Sequence, residues 1–574
     1  MLKSLWNFIQ RNPKPYIIGT LIAIVSSCFY IVPNYIIQQF VDGIVEGTLN
    51  QNHLVHLAWI YGLVMLASYL TDYIMIYLLF KQSYQYQVEL RLEAFKRLMT
   101  FRKPFYHLFR SGDLMTRMTS DIDALGNMMT YGFIIIVADG IWMVILVAYL
   151  IIMVSWRLTL VSFLPLVFFG IVVFYLGKVV DKRYTASRDA VADLSNQVLE
   201  VVEGVRVMRA YGKAHLEQEK FQEKTQTVSN KFYHQYFANA LYTPAVRFFT
   251  GLVVVISIAY GAIQVDQGLI TIGQLVAFQI YLSMFLYTIW GITDIFALYQ
   301  TGKVSYKKLL EILNHQNPVK SKANHPIDHF NQLELKNYYF TYPESQEPAL
   351  KNITLSLKKG QTLGIVGKTG SGKTTLISQL LRQYPLDSGQ VVVINNQPID
   401  DYAIEEIEQL IGYVPQDHIL FSRSVKDNIL FGDQKAQEMD LLSAIEAAHF
   451  SQDIDNLNEG LDTMIGEKGV AISGGQKQRV SIARALISQP QLLIMDDSLS
   501  AVDAKTEGAI IEQIQTLRRD KTNIIVTHRL SAVMQADHII VLEDGEIIEE
   551  GTAESLLSQN GWFKQQFDQQ QMEE

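Results

Sequence analysis

The stretch Gly367-Lys368-Thr369-Gly370-Ser371-Gly372-Lys373-Thr374 brings glycines, a lysine and a hydroxyl together at the spacing of a phosphate cradle. Glycines let successive backbone amides turn inward onto phosphate oxygens. Lys373 can reach the β and γ phosphates of a nucleotide, and the Thr374 hydroxyl can face Mg²⁺. The surroundings fit. Gln361–Val366 reads as a buried strand entering the loop, and Thr374-Thr375-Leu376-Ile377 opens a helix whose N-terminal dipole favours anions. A second apolar strand, Leu492-Leu493-Ile494-Met495, ends in Asp496-Asp497. A carboxylate at such a strand end suits a Mg²⁺ ion, which makes Asp496 the metal candidate. Asp497, next along, is placed to orient or deprotonate an attacking water.

A chain of 574 residues is too long for one ordinary domain. Apolar residues make up 49% and charged residues only 18%, and the apolar excess is concentrated before about residue 300. The fold class expected is an α-helical transmembrane domain of six spans with long intracellular helices, fused to an α/β P-loop nucleotide-binding domain. The boundaries expected are 1–300 for the membrane domain, 301–330 for a linker and 331–574 for the nucleotide-binding domain. A formal charge of −9 argues against nucleic acid as a partner. Cys28 is the only cysteine, so no intrachain disulfide can form.

Stretches long and apolar enough to cross a bilayer run Tyr16–Phe40, Leu54–Phe80, Tyr131–Val154, Leu158–Val180, Leu241–Ile263 and Leu275–Leu298. The first is followed by further spans, unlike a signal peptide. Lys3, Arg11 and Lys14 precede it, and Lys81–Arg117 is rich in basic residues, whereas 41–53 and 264–271 have none. That asymmetry puts the N-terminus and the C-terminal domain in the cytoplasm of a multi-pass plasma-membrane protein. The two cytoplasmic connections keep helical periodicity, so the spans should continue as helices that turn near Gly112-Asp113 and near Tyr211-Gly212. Asp72, Asp139, Arg247 and Asp294 fall inside spans, where charge is costly. They suit either a pathway for cations or plain interhelical hydrogen bonding. The many span aromatics suit a pocket for flat hydrophobic molecules, or simple packing.

Ser473-Gly474-Gly475-Gln476-Lys477-Gln478-Arg479, lying between the phosphate loop and the acidic strand, resembles the signature of ATP-binding cassette (ABC) proteins. The order of the other parts agrees over essentially the whole chain. Tyr342 matches the aromatic that stacks on adenine, and Gln416 matches the Q-loop glutamine, a further Mg²⁺ contact. Asp503, in Ser500-Ala501-Val502-Asp503, matches the D-loop, and His528 the switch histidine. Glu200–Gly212 and the segment around Gly466-Glu467 are similar to those of exporters. The resemblance implies ATP and Mg²⁺ as ligands. They would be held by Tyr342, Gly367, Lys368, Thr369, Gly370, Ser371, Gly372, Lys373, Thr374, Thr375 and Gln416. It also implies head-to-tail pairing, in which Ser473, Gly474, Gly475, Gln476 and Asp503 meet the nucleotide of a second half-transporter.

Such proteins normally carry glutamate where this chain has Asp497. The shorter acid implies ATP hydrolysis that is slow on this chain's own loop, as in the degenerate-site subunit of heterodimeric bacterial multidrug exporters. The function implied is ATP-driven export of hydrophobic or cationic drugs, or of lipids. A homodimeric lipid flippase and an ATP-gated regulator without net transport are the alternatives.

Overall fold

The computed structural model describes residues 1–320, 322–386, 391–466, 472–499 and 504–573, without the side chains of 173, 242, 289–293, 504, 505 and 573. Two compact units emerge: Met1–Arg97 with Gly112–Asn314, and Leu98–Ser111 with His315–Glu574. The helix Ile272–Leu313 runs past residue 300, so the connection between the units is shorter than 301–330.

The first unit is helical. Among the described residues, four stretches are long and apolar enough to cross a membrane: Pro13–Val45, Gln51–Thr100, Ser111–Glu203 and Ala214–Asp266. The third of these stretches holds two of the six expected spans, Tyr131–Val154 and Leu158–Val180, and the break between them has a local cause. Ser155 is extended, at φ −164° and ψ 123°, and its side chain accepts from the Leu158 amide. It therefore breaks the third stretch into two apolar helices, the second starting at Trp156. The sixth apolar run opens the helix Ile272–Leu313, where the apolar portion Ile272–Thr288 is shorter. A capping box starts that helix, with Thr271 accepting from the Gln274 amide and Gln274 accepting in return from the Thr271 amide. Trp142, Leu146, Leu150, Leu158, Phe278 and Tyr281 form part of its core.

The two long connections expected to be cytoplasmic turn differently. The helix Gln51–Thr100 ends just before a short helix, Lys103–Leu108, so the first turn is centred earlier than Gly112-Asp113. The second turn holds the short helix Val205–Ala210 and then Gly212 at φ +63°, as expected near Tyr211-Gly212.

The second unit is built on a sheet whose order among the described residues is β12-β11-β3-β10-β9-β6. The strands are β3 (Thr362–Gly367), β6 (Ile411–Val414), β9 (Leu492–Asp496), β10 (Thr522–Val526), β11 (His538–Glu543) and β12 (Glu546–Gly551). All pairings are parallel except β11 with β12. Strand alternation divides the apolar side chains between the two faces. Leu363, Ile365, Leu492, Ile494, Ile524 and Ile540 enter one core. Val366, Leu493, Met495, Ile525 and Val541 enter another, with Val480 and Ile482 of the helix Gly474–Leu486. Burial on both faces explains why these strands read as continuous apolar runs. A second sheet, with β2 (Pro348–Lys358), β1 (Gln332–Thr341), β4 (Val392–Ile394) and β5 (Gln397–Pro398) in that order, contributes Leu333, Leu335, Leu355 and Leu357 to the first core.

Candidate nucleotide site

The phosphate loop leaves β3, Asp496 ends β9, and Thr527-His528 follows β10. Val526 of β10 pairs with Ile365 on one side and with Asp496 on the other. Val414 of β6 pairs with Met495, which puts Gln416 just beyond the same edge. The carboxyl ends of parallel strands thus gather residues far apart in sequence at one crevice, where open α/β sheets bind ligands.

Two loop glycines are obligatory. Gly367 sits at φ +147°, and a Cβ there would lie 2.1 Å from the Leu542 carbonyl oxygen. Gly372 sits at φ +103°, with the Ala349 carbonyl oxygen 3.1 Å from the Cβ position. The clash at Gly367 is with backbone, so no rotamer change relieves it, and at Gly372 the positive φ itself disfavours any side chain. Lys373 is buried and donates to the carbonyls of Gly367 and Lys368, both at 2.8 Å. Burial pulls its ammonium pKa down, while Asp497 and Asp496 oppose that shift. The Ser371 hydroxyl is buried with no protein partner among the described residues, as a donor meant for a ligand would be. Lys368 pairs with Glu543, and Thr369 and Gly370 are exposed.

The Thr374 hydroxyl donates to Asp496 Oδ1 at 3.3 Å, and Tyr413 donates to Asp496 Oδ2 at 3.4 Å. Burial raises the Asp496 pKa, with both hydroxyls working against it. A buried carboxylate beside a hydroxyl fits a hard divalent cation that phosphate oxygens also ligate. Gln416 Nε2 reaches Asp497 Oδ2 at 3.5 Å, so the two expected residues do converge. Asp497 itself is left-handed, at φ +47°, a conformation Asp tolerates better than most residues. Burial, then Lys373, lowers the His528 pKa below its ordinary value, so its imidazole is neutral at neutral pH. The Tyr342 hydroxyl shares a 2.8 Å hydrogen bond with that of Thr375, and its ring meets Tyr384 edge-on at 5.2 Å.

Ser473 caps the helix Gly474–Leu486 through a reciprocal bond with Gln476. Ser473 and Gly474 are exposed, leaving helix N-terminal amides open to an anion. Asp453 accepts from Gln476 and, in a fork, from Arg479 at 2.7 and 2.9 Å. Asp503 and the segment around Glu467 lie outside the described residues. Sequence reasoning missed Tyr413, Tyr384 and Asp453. The position of Tyr413 on a strand entering the Q-loop was a usable signal. Asp453 has no local motif.

The first unit has its own cavity, of about 630 Å³, lined among others by Tyr30, Asp72, Met75, Asp139, Trp142 and Tyr287. Asp72 accepts from Ser26 at 2.6 Å and from Tyr30, so it is held between helices as the hydrogen-bonding alternative required. Tyr30 meets Trp142 edge-on at 5.6 Å. Arg247 and Asp294 are exposed and do not line this cavity.

Comparisons with known proteins agree with this architecture. Residues 16–289 match the ABC transporter transmembrane region, and residues 350–500 match the ABC transporter domain. The chain is similar to a probable multidrug resistance ABC transporter ATP-binding/permease protein, YheI of Bacillus subtilis. Identity is 38% over 100% of this chain and 98% of that protein. The multidrug resistance-like ATP-binding protein MdlA of Escherichia coli is 31% identical, over 99% of this chain and 96% of MdlA. An ATP-dependent lipid A-core flippase of Haemophilus influenzae is 29% identical, over 99% and 97%. In fold the chain is similar to a bacterial Atm1-family ABC exporter solved with ATP bound, with a TM-score of 0.80 over 98% of both chains and 21% identity.

Proposed function

The chain belongs to the ABC transporter family, and from that premise we propose that it is one half of a dimeric, ATP-driven exporter of hydrophobic cations. Its place is the plasma membrane, with the N-terminus and the ATP-binding domain in the cytoplasm. The observation that carries the substrate class is the cavity that holds Asp72 and Asp139 among Tyr30, Trp142 and Tyr287. Aromatic faces and carboxylates together favour flat cations over neutral or anionic molecules. A lipid substrate is the second reading, supported by the relative named as a lipid A-core flippase.

At the ATP site, Lys373 exchanges the carbonyls of Gly367 and Lys368 for β and γ phosphate oxygens. Ser371 and the loop amides complete that cradle, and Tyr342 offers its ring to adenine. Thr374, Asp496 and Gln416 would hold Mg²⁺, which supplies charge neutralisation at the phosphates. Asp497 orients the attacking water, and neutral His528 donates toward the transferring phosphate. Ser473, Gly474, Gly475, Gln476 and Asp503 serve the nucleotide bound to the second subunit. Asp497 is one methylene short of glutamate, so this chain's own cleft turns over slowly and the second subunit differs from it.

ATPase assays of this chain, alone and with a homologous second subunit bearing glutamate, test the asymmetry. Asp497→Asn should change transport little, and removal of the second subunit's glutamate should abolish it. Asp497→Glu should raise hydrolysis at this cleft by up to about a hundredfold, the scale of a displacement of ~1 Å. Hydrolysis by the isolated chain that matches the pair would overturn it.

A further inference from the structure

A second cavity in the membrane unit, of about 530 Å³, has a different chemistry from the first. It lies between the helices Trp156–Glu203 and Ala214–Ala240 and is lined by Lys178, Lys182, Arg183, Lys231 and His234, besides Val179 and Ala186. Lys178 and Lys182 are four residues apart, so one helical face presents both. Lys231 and His234 come from the other helix at the corresponding spacing of three. No carboxylate lines the cavity, and among the described residues no ion pair joins Lys178, Lys182, Arg183, Lys231 or His234 to a carboxylate. Arg183 donates to the His234 carbonyl at 2.9 Å, which ties the helices together without neutralising charge. Lys178 rests over the Phe174 ring at 4.4 Å, which also leaves its charge intact. Gathering like charges in one cleft is unfavourable unless an anion joins them.

The position identifies the anion. The apolar run of the first helix ends at Val180, on the side that the basic residues assign to the cytoplasm. Exposed Phe174 and Tyr175 stand just before the cluster on one helix, and exposed Tyr233, Tyr236 and Phe237 flank it on the other. Aromatic side chains at this level mark the membrane–water interface. Basic pockets between helices at that depth suit phosphate headgroups. We infer that this cleft binds the phosphate headgroup of an anionic phospholipid from the cytoplasmic leaflet, with Lys178, Lys182, Arg183 and Lys231 as its ligands. The inference does not depend on what the transporter exports.

The test is native mass spectrometry of the full-length chain, with any second subunit it requires. The protein is released from phosphatidylcholine bilayers with or without phosphatidylglycerol. Wild type should retain phosphatidylglycerol selectively. Lys182→Gln with Lys231→Gln should weaken that retention roughly thirtyfold, from a factor of about five per cation. Lys182→Arg with Lys231→Arg should keep it, which separates lost charge from misfolding. Two results would overturn the inference. One is equal phosphatidylglycerol retention by wild type and the Gln variant. The other is displacement of the lipid by inorganic phosphate at matched ionic strength, which would make the site one for a free anion.

Discussion

The two turns that join the long helices are built alike, each a short helix of six residues at the end of long ones, yet their surroundings are opposite. The first, within Leu98–Ser111, belongs to the nucleotide-binding unit. Its Phe105 is 1% exposed and packs on Phe101 at 4.2 Å and on His315 at 4.9 Å. Lys103 donates to Ser378 on the phosphate-loop helix, Arg102 pairs with Glu408, and His107 meets the Tyr384 ring. The second turn, Val205–Ala210, has no buried residue among those described, and Tyr211 beside it is 74% exposed. One turn is thus fastened to this chain's own ATP-binding domain. The other presents Val207 and Tyr211 outward, as a surface for a second subunit would.

The contrast can be broken most sharply by truncating each turn. Phe105→Ala should cost about 3–5 kcal/mol of folding stability, the usual loss for a buried Phe. Tyr211→Ala should stay within about 0.5 kcal/mol of wild type, as an exposed residue does, while transport is lost. Thermal melts beside transport assays read both; an equal drop in melting temperature for the two variants would erase the contrast. A photo-reactive residue sharpens it next. Placed at Tyr211, it should yield a product of dimer mass, and placed at Phe101 only intrachain products. Dimer-mass products from Phe101 alone would reverse the assignment.

The smallest effect separates docking from site electrostatics. Burial depresses the pKa of both His418 and His528. Their stability contribution is therefore present above the unfolded value of about 6.5 and is lost as pH falls through the lower folded values. Melting temperature should decline slightly over that acidic window. His528→Gln should flatten the decline, whereas Tyr211→Ala should leave it unchanged. A decline that survives intact in a His418→Gln, His528→Gln double variant would assign it to other groups.

Much of this was legible from the residues. The loop Gly367–Thr374 could be read because strand, glycines and helix occur together within one short stretch. Asp496 could be read because β9 is buried on both faces and so appears as an unbroken apolar run. The docked turn could not be read, because its partners His315, Ser378, Tyr384 and Glu408 lie far away in sequence. Helical periodicity shows that a helix continues and is silent about what receives its end. The gap between the third and fourth apolar runs was visible, whereas the extended residue and side-chain cap at Ser155 that make it were not. The settled state of Asp72 depends on Ser26 and Tyr30, which composition alone does not single out.

The place of β10 has a mechanical consequence. Val526 is bonded sideways to the strands on both flanks, so the lysine loop and Asp496 stand two strand spacings apart, about 9.6 Å. The ladder acts as a ruler that nucleotide does not stretch. Whatever work is drawn from ATP must then appear where the chain is not laced into the sheet, and the turn at Lys103, which donates to Ser378, is one such place.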